Sequence, residues 1–358
     1  MGFTLYGAAG SGSVPVEAAM TLIGLDYRVI EAVTWEGEAE RDKVAAANPM
    51  RQIPALITPD GQTITESAAI LIWLADTYPQ ARLGPAPLGI ETRFFDPLDV
   101  DGFAAQLSGR TRAVLLESPG SLTMEVTDVP ALCAAARERG IITIIDNTWA
   151  SPLGFPALQH GCDISIMSLT KHVGGHSDLM MGSITAGEEF YGRIRLKSQT
   201  LGQVVSPDDA ALALRGLRTL AVRLEHEAAS ARRIAEWLCA RPEVAHVLCP
   251  MLPGAAGHDL WARDFTGGCG LFSFVLRGGA PANRARFIDA LELFGIGYSW
   301  GGFESLVIPF DPARARSATT WPPPRWNPED RLGIRLSIGL EDPEDLMRDL
   351  ERGFAVMA

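Results

Sequence analysis

The chain has 358 residues, 47% hydrophobic and 21% charged, with a formal net charge of −12. That length suggests two or three domains, and the composition allows each a sizeable core. Acidic charge and the lack of a Lys/Arg-rich run argue against nucleic acid or an anionic membrane as partner, and no apolar run is long enough to span a bilayer. The N-terminus "MGFTLYGAAGSG" lacks a basic stretch followed by a long apolar one, so no signal peptide is read there and the cytoplasm is the expected location. Cys133, Cys162, Cys239, Cys249 and Cys269 are odd in number and scattered, which argues for reduced thiols rather than a disulfide framework or a zinc ribbon. His172 and His176 have helical metal spacing, but the glycines between them argue against a helical pair, so no metal is expected.

In chain order, "FTLYG" reads as a short strand and "GSGSVP" as a turn, with Ser13 as N-cap and Pro15 in the first helical turn. Val16, Met20 and Ile23 share one face of that helix, which Gly24 stops. "YRVIEA" is a second strand. "QIPALITPDGQTIT" is a hairpin turning at Asp60-Gly61, and "ESAAILIWLADTY" is a helix ending before Pro79. "GPAP", residues 84–87, reads as a linker. The pattern then changes. "TRFFDP", "TRAVLLESPG", "IITIIDN" and "DISIMSLTK" read as apolar strands, with helical segments such as "VPALCAAARERG" and "FPALQHG" between them. Such alternation predicts a parallel sheet covered on both faces. A long helical stretch from "SPDDAALALRG" leads into a third region, where "GLFSFVLRG", "GIGYSWGG" and "RLGIRLSIGLED" read as strands beside helices.

Ligands of parallel sheets bind at the carboxyl ends of the strands. Lys171 and Asp146 both stand at such ends, and Ser168 and Thr170 immediately precede the lysine. A desolvated lysine becomes a nucleophilic amine, hydroxyls suit a phosphate, and a strand-end carboxylate suits a ring nitrogen that must keep its proton. Together these are the demands of pyridoxal phosphate (PLP). Singly, each has an ordinary reading: Asp-Asn after a strand is commonly a turn.

Several segments carry a resemblance: "FFDPLDVDGFAAQL", "VLLESPGSLTMEVTDVPAL", "IDNTWASPL", "LTKHVGGHSDLMMGS", "ALRGLRTLAVRL", "YSWGGFESL" and "IRLSIGLEDPEDL". In order and spacing they resemble the cystathionine β-lyase branch of the Cys/Met-metabolism PLP-dependent enzymes, from about Leu88 to the C-terminus. The resemblance implies a PLP fold-type-I, mostly parallel α/β sheet domain over 88–215 and a C-terminal α+β domain over 216–358. It implies PLP held covalently by Lys171 as a Schiff base, Asp146 on the pyridine nitrogen, and Ser168 and Thr170 on the phosphate. It also implies Arg335 on the substrate α-carboxylate, with Ser299 and Trp300 beside the substrate. The implied reaction is α,β-elimination of cystathionine to homocysteine, pyruvate and ammonia by a homo-oligomer acting on a small sulfur amino acid. The family's segment before "FFDP" finds no match here. It carries a glycine-containing turn and helix N-terminus that cup the phosphate, a tyrosine that stacks on the ring, and two strands of the sheet. The large domain is therefore expected to be truncated, with unpaired sheet edges and poor or no activity.

In place of that segment, "FTLYGAAGSGSVPVEAAMTLIGLDYRV", "NPMRQIPAL" and "TESAAILIWLADTYP" resemble the N-terminal, thioredoxin-like domain of glutathione S-transferases, over residues 1–83. The resemblance implies a cis Pro54 after Ile53, with backbone facing glutathione, Glu66 and Ser67 at its γ-glutamyl end, and Ser11 donating to its sulfur. Ser11 to Ser13 also read simply as a turn and cap. The alternatives to a C–S lyase are thus a glutathione-binding module or transferase-like enzyme, and a non-catalytic fusion.

Overall fold

The computed structural model describes residues 2–78, 90–278, 280–314 and 316–357. The expected linker at 84–87 lies outside the described residues. The chain divides into two compact units, Met1–Arg93 and Phe94–Ala358.

In the first unit, β1 (Phe3–Gly7), α1 (Ser13–Ile23), β2 (Tyr27–Glu31), α2 (Glu38–Ala45), β3 (Ala55–Ile57), β4 (Thr63–Thr65) and α3 (Ser67–Thr77) follow one another. The strand order is β2-β1-β3-β4, with β1 parallel to β2 and the other pairs antiparallel. Leu5 and Leu56 from the sheet, Val16 and Met20 from α1, and Ile70 and Leu74 from α3 form a fully buried core. Gly24 ends α1 with φ +79°, a conformation glycine adopts without strain. The N-cap of α1 is Gly12 rather than Ser13, because the Ser13 hydroxyl turns inward to Ala8 and Glu17.

Residues 90–98, which lead into the second unit, hold no helix or strand, so "TRFFDP" is no strand. That segment contributes Phe95, whose ring lies tilted against Phe103 of α4 (Val100–Gln106), centres 4.7 Å apart. Next come β5 (Ala113–Glu117), α5 (Val129–Arg137), β6 (Ile142–Asp146), the single turn α6 (Ser151–Gly154), β7 (Ile164–Ser168) and β8 (Gly182–Ala186). "FPALQHG" is a run of turns instead of a helix. The sheet order is β5-β6-β7-β8, with the first three strands parallel and β8 antiparallel. Helices α7 (Glu188–Thr200), α8 (Pro207–Leu217) and α9 (Leu220–Cys239) lead to a second sheet. That sheet is built from β9 (Val244–Leu248), β10 (Leu271–Leu276), β11 (Gly295–Ile296), β12 (Leu306–Phe310) and β13 (Gly333–Ser337), in the order β11-β12-β13-β10-β9. Helices α10 (His258–Asp264), α11 (Pro281–Asp289) and α12 (Pro343–Ala355) accompany it. Of "GIGYSWGG", only Gly295 and Ile296 are strand.

Among the described residues, one face of the parallel sheet is buried and the other is exposed in part. Val114, Leu116, Ile145 and Met167 are buried with Leu132 of α5, Phe155 and Cys162 of the β6–β7 connection, and Leu224 of α9. On the other face, Leu115 is 64% exposed and Ile184 52% exposed. In register, that face runs Leu115–Ile144–Ile164 along the sheet, and Ile184–Ile166–Asp146–Glu117 along the next row. The physical reason is chirality. Successive right-handed crossovers in one direction return to the same face, so β5→β6 and β6→β7 cover one face, while on the opposite one Leu115 and Ile184 stay exposed and Ile164 is buried.

Candidate active site

Asp146 ends β6 and Glu117 ends β5, directly opposite one another in the parallel register. Ser168 ends β7, two residues beyond Ile166, the register partner of Asp146. The Thr148 hydroxyl ties these ends together: it donates to Asp146 Oδ1 at 2.5 Å and accepts from the Ser168 N–H at 2.9 Å. The Thr148 N–H also donates to Asp146 Oδ1, at 2.9 Å. Asp146 is thus oriented by two donors on one oxygen.

Beyond Ser168 the chain makes a tight turn. The Lys171 N–H donates to Ser168 O at 3.2 Å, and the Gly175 N–H to Lys171 O at 2.7 Å. The Lys171 ammonium donates to Ser299 Oγ at 2.7 Å and lies 5.5 Å from the centre of the Trp300 ring. Just before Ser299, the Tyr298 carbonyl accepts from the Arg335 guanidinium. Arg335 also donates to Ser121 O at 3.3 Å and lies 5.0 Å from the Tyr298 ring. It rises from β13, the middle strand of the second sheet, and is only 3% exposed. Burial pushes its guanidinium down to about 10, against the opposing charges of Tyr298 and Glu117, so it stays cationic at neutral pH.

The segment Tyr298–Trp300 therefore joins Lys171, from the end of the first sheet, to Arg335, from the second. Six residues singled out from the sequence, Lys171, Asp146, Ser168, Arg335, Ser299 and Trp300, lie on this connected set of contacts. Thr170 is differently placed. Its hydroxyl donates to Met181 O at 3.3 Å and accepts from Met181 N at 3.0 Å, so it braces the turn to the segment entering β8. Glu117 was missed, although the strand-end rule that found Asp146 applies equally to it. Protein packed around Glu117, then the Asp146 charge, raises its carboxyl above the ordinary value, while hydrogen bonds from Ser121 and then the Arg335 charge pull the other way.

These residues suit PLP. A lysine amine, an aspartate carboxylate held from one side and a buried, cationic arginine are the donor and acceptor types that the aldehyde, the protonated ring nitrogen and a substrate carboxylate require. The phosphate is served less well, since Ser168 offers a hydroxyl while Thr170 is engaged with Met181. Two cavities lie elsewhere in this unit. One, of about 480 Å³, opens on the other sheet face between Met167, Leu169, Ala213 and Leu217. The other, of about 500 Å³, is walled by Glu125, Val247, Arg316, Trp321 and Trp326. Lys171 lines neither. Among the described residues no cluster of His, Cys, Asp and Glu is able to hold a metal ion. No helix there is long and apolar enough to cross a membrane.

In the first unit, the Ile53–Pro54 peptide is cis. A Cβ on Gly12 would meet Ser67 Oγ at 2.5 Å and Pro54 Cδ at 3.5 Å, so Gly12, Pro54 and Ser67 converge. Glu66, just before Ser67, has φ +75°, unusual for a residue with a side chain. Ser11 Oγ accepts the N–H groups of Ala8 at 3.3 Å and Ser13 at 3.1 Å, and lies 2.9 Å from Ser13 Oγ. That hydroxyl closes the turn before α1.

Comparison with known proteins agrees with both halves of this picture. Residues 12–77 match the N-terminal domain of glutathione S-transferases. Residues 77–355 match the Cys/Met metabolism PLP-dependent enzymes. A putative cystathionine beta-lyase of Rhizobium johnstonii is 45% identical over 272 residues, covering 75% of this chain and 67% of that protein. The cystathionine beta-lyase of Escherichia coli is 45% identical over 276 residues, covering 75% and 68%. The chain thus spans about two thirds of the length of these relatives. The crystal structure of the cystathionine gamma synthase of Xanthomonas oryzae pv. oryzae, in complex with aminoacrylate and cysteine, superposes with a TM-score of 0.68 at 33% identity, over 76% of this chain and 70% of that one. More distant matches catalyse other reactions: an L-alanine/L-glutamate racemase of Wolbachia pipientis at 36% identity and an L-methionine gamma-lyase of Pseudomonas putida at 33%. By this likeness over most of its length, the chain belongs to the PLP-dependent enzymes of Cys/Met metabolism, preceded by a glutathione S-transferase N-terminal domain.

Proposed function

We propose that the second unit is a PLP-dependent carbon–sulfur lyase acting on cystathionine by α,β-elimination to homocysteine, pyruvate and ammonia. The observation that carries this reading is the Tyr298–Ser299–Trp300 segment, which brings Lys171 and the buried Arg335 to one place. The two relatives at 45% identity favour the β-lyase over the other reactions of the family.

PLP bound at Lys171 supplies the electron withdrawal that makes a substrate Cα–H acidic. In this reading Asp146 faces the ring nitrogen, with its carboxylate fixed by Thr148, and Ser168 contacts the phosphate. Arg335 binds the substrate α-carboxylate through a planar, bidentate fork that a lysine would not provide. Lys171 Nζ takes the Cα proton and returns a proton to the departing sulfur. Ser299 and Trp300 keep that amine between the two ends of the substrate.

The test is titration with PLP followed by borohydride reduction, with peptide mapping of the label and a pyruvate assay on cystathionine and methionine. The expected label is on Lys171, and Lys171→Ala removes both label and pyruvate. Label elsewhere, or pyruvate production unaffected by Lys171→Ala, overturns the reading.

The convergence of Gly12, Pro54 and Ser67 supports a second reading, for the first unit. It is a glutathione-binding module in which the backbone beside Ile53 and Pro54 faces the peptide and Glu66 and Ser67 face its γ-glutamyl end. Retention on immobilised glutathione, with elution by free glutathione, tests it.

A further inference from the structure

The turn that carries Lys171 rests on two buried charged residues of α9, one helical turn apart. Arg223 is 5% exposed and Glu227 is 1% exposed. Arg223 Nη2 donates to Gly216 O at 2.9 Å and reaches Val173 O at 3.5 Å. A Cβ on Gly175, which has φ +66°, would land on the Arg223 guanidinium, so the glycine lets the turn close over that side chain. Beside it, His172 is fully buried, and its Nδ1 stands 3.5 Å from Glu227 Oε2. Among the described residues, neither ring nitrogen of His172 and neither carboxyl oxygen of Glu227 has a hydrogen-bond partner. Buried polar groups are costly unless paired; the Glu227 carboxyl faces His172 and also feels the Arg223 charge, whose Nη1 likewise has no hydrogen-bond partner among the described residues. The other edge of His172 meets Trp300, ring centres 5.4 Å apart at an interplanar angle of 62°. Trp300 is the ring beneath the Lys171 ammonium.

We propose that Glu227, acting through His172, is a positioning residue for Lys171. The carboxyl holds the imidazole, and the imidazole holds the turn from below and Trp300 from the side. Trp300 and its neighbour Ser299 then hold the ammonium. A polar pair at this place fixes the direction of the ring, which an apolar side chain filling the same space would not. The inference rests on the reading of Lys171 as the reactive amine, but its test needs no cofactor.

The chain has only three lysines, Lys43, Lys171 and Lys197, so two internal references are built in. Competitive acetylation by acetic anhydride at one fixed pH, without PLP, is read by mass spectrometry at all three. Glu227→Gln, close to isosteric, is expected to raise the Lys171 rate about threefold, the scale of one exposed cation–π contact, and to leave Lys43 and Lys197 unchanged. His172→Phe is expected to give a similar rise, and the double variant no further rise, because the two act in series. An unchanged Lys171 rate in a Glu227→Gln chain that still melts cooperatively overturns the proposal. So do additive effects in the double variant, or a general loosening that raises all three lysines together. Should Glu227→Gln not fold, His172→Phe carries the same expectation, and an unchanged rate there is equally fatal. Failure to bind PLP would count against the lyase reading alone, since PLP is absent from this experiment.

Discussion

Lys171 donates to the Ser299 hydroxyl at 2.7 Å across 128 residues of sequence. The same short segment that supplies Ser299 also supplies the carbonyl that receives Arg335 and the ring that underlies the lysine. The chemistry proposed for the second unit runs through that segment, which links its two sheets.

Cofactor affinity is the first expectation. A phosphate dianion needs several donors to replace its hydration, and Thr170 spends its hydroxyl on Met181. Losing two or three charge-assisted hydrogen bonds, at about 1.5–3 kcal/mol each, weakens binding by several powers of ten. Absorbance titration is expected to saturate only at high PLP concentration, and dialysis to remove the colour. Tight stoichiometric binding with robust turnover would show that the phosphate is well held after all.

Glu117 supplies a pH dependence. Packing and the neighbouring Asp146 raise its carboxyl, so folding favours the protonated form. Its favourable contribution is present at low pH and disappears as pH rises through the raised value; at neutral pH the ionised group is a net cost. Glu117→Gln removes that cost. We expect its melting temperature to exceed that of the parent at pH 7 by no more than about 2 °C, since solvent reaches the group. Near pH 4 the two should melt together. A variant less stable at pH 7 would mean that the charge on Glu117 is useful, through Arg335.

The first unit gives a steric test. A methyl group on Gly12 would press on Ser67 Oγ, so Gly12→Ala is expected to abolish retention on immobilised glutathione. Ser67→Ala should weaken it by roughly tenfold, the scale of one to two kcal/mol for a lost hydrogen bond. Ser11→Ala should act mainly on stability, because that hydroxyl closes the turn before α1. Retention unchanged in Gly12→Ala would place binding, if any, elsewhere.

The bare sheet face is also testable. Exposed apolar area of this kind favours association. Leu115→Lys together with Ile184→Lys should reduce binding of an anilinonaphthalene dye and raise solubility, with little change in melting temperature, because both side chains already face solvent. A large loss of stability would show that this face is packed in solution.

What the sequence by itself determined was local and chemical. Strand ends carrying Asp146 and Lys171, the glycine stop at Gly24, the Asp60-Gly61 hairpin and the helix ending before Pro79 follow from patterns a few residues long, where backbone preference and periodicity decide. The family was legible too, because its motifs are contiguous. Other matters turned on residues far apart in sequence. Whether a hydroxyl is free or engaged depends on who meets it: Ser168 stays at the strand end, while Thr170 is taken by Met181 across a turn. The loss of "TRFFDP" as a strand shows the same limit, since its Phe95 packs on Phe103 of α4 rather than pairing with a strand. The open sheet face arises from the common direction of two crossovers, and the platform of Glu227 and His172 from the docking of α9 beneath the turn. Periodicity marks which residues seek burial, but only the folded packing decides which polar groups are buried together.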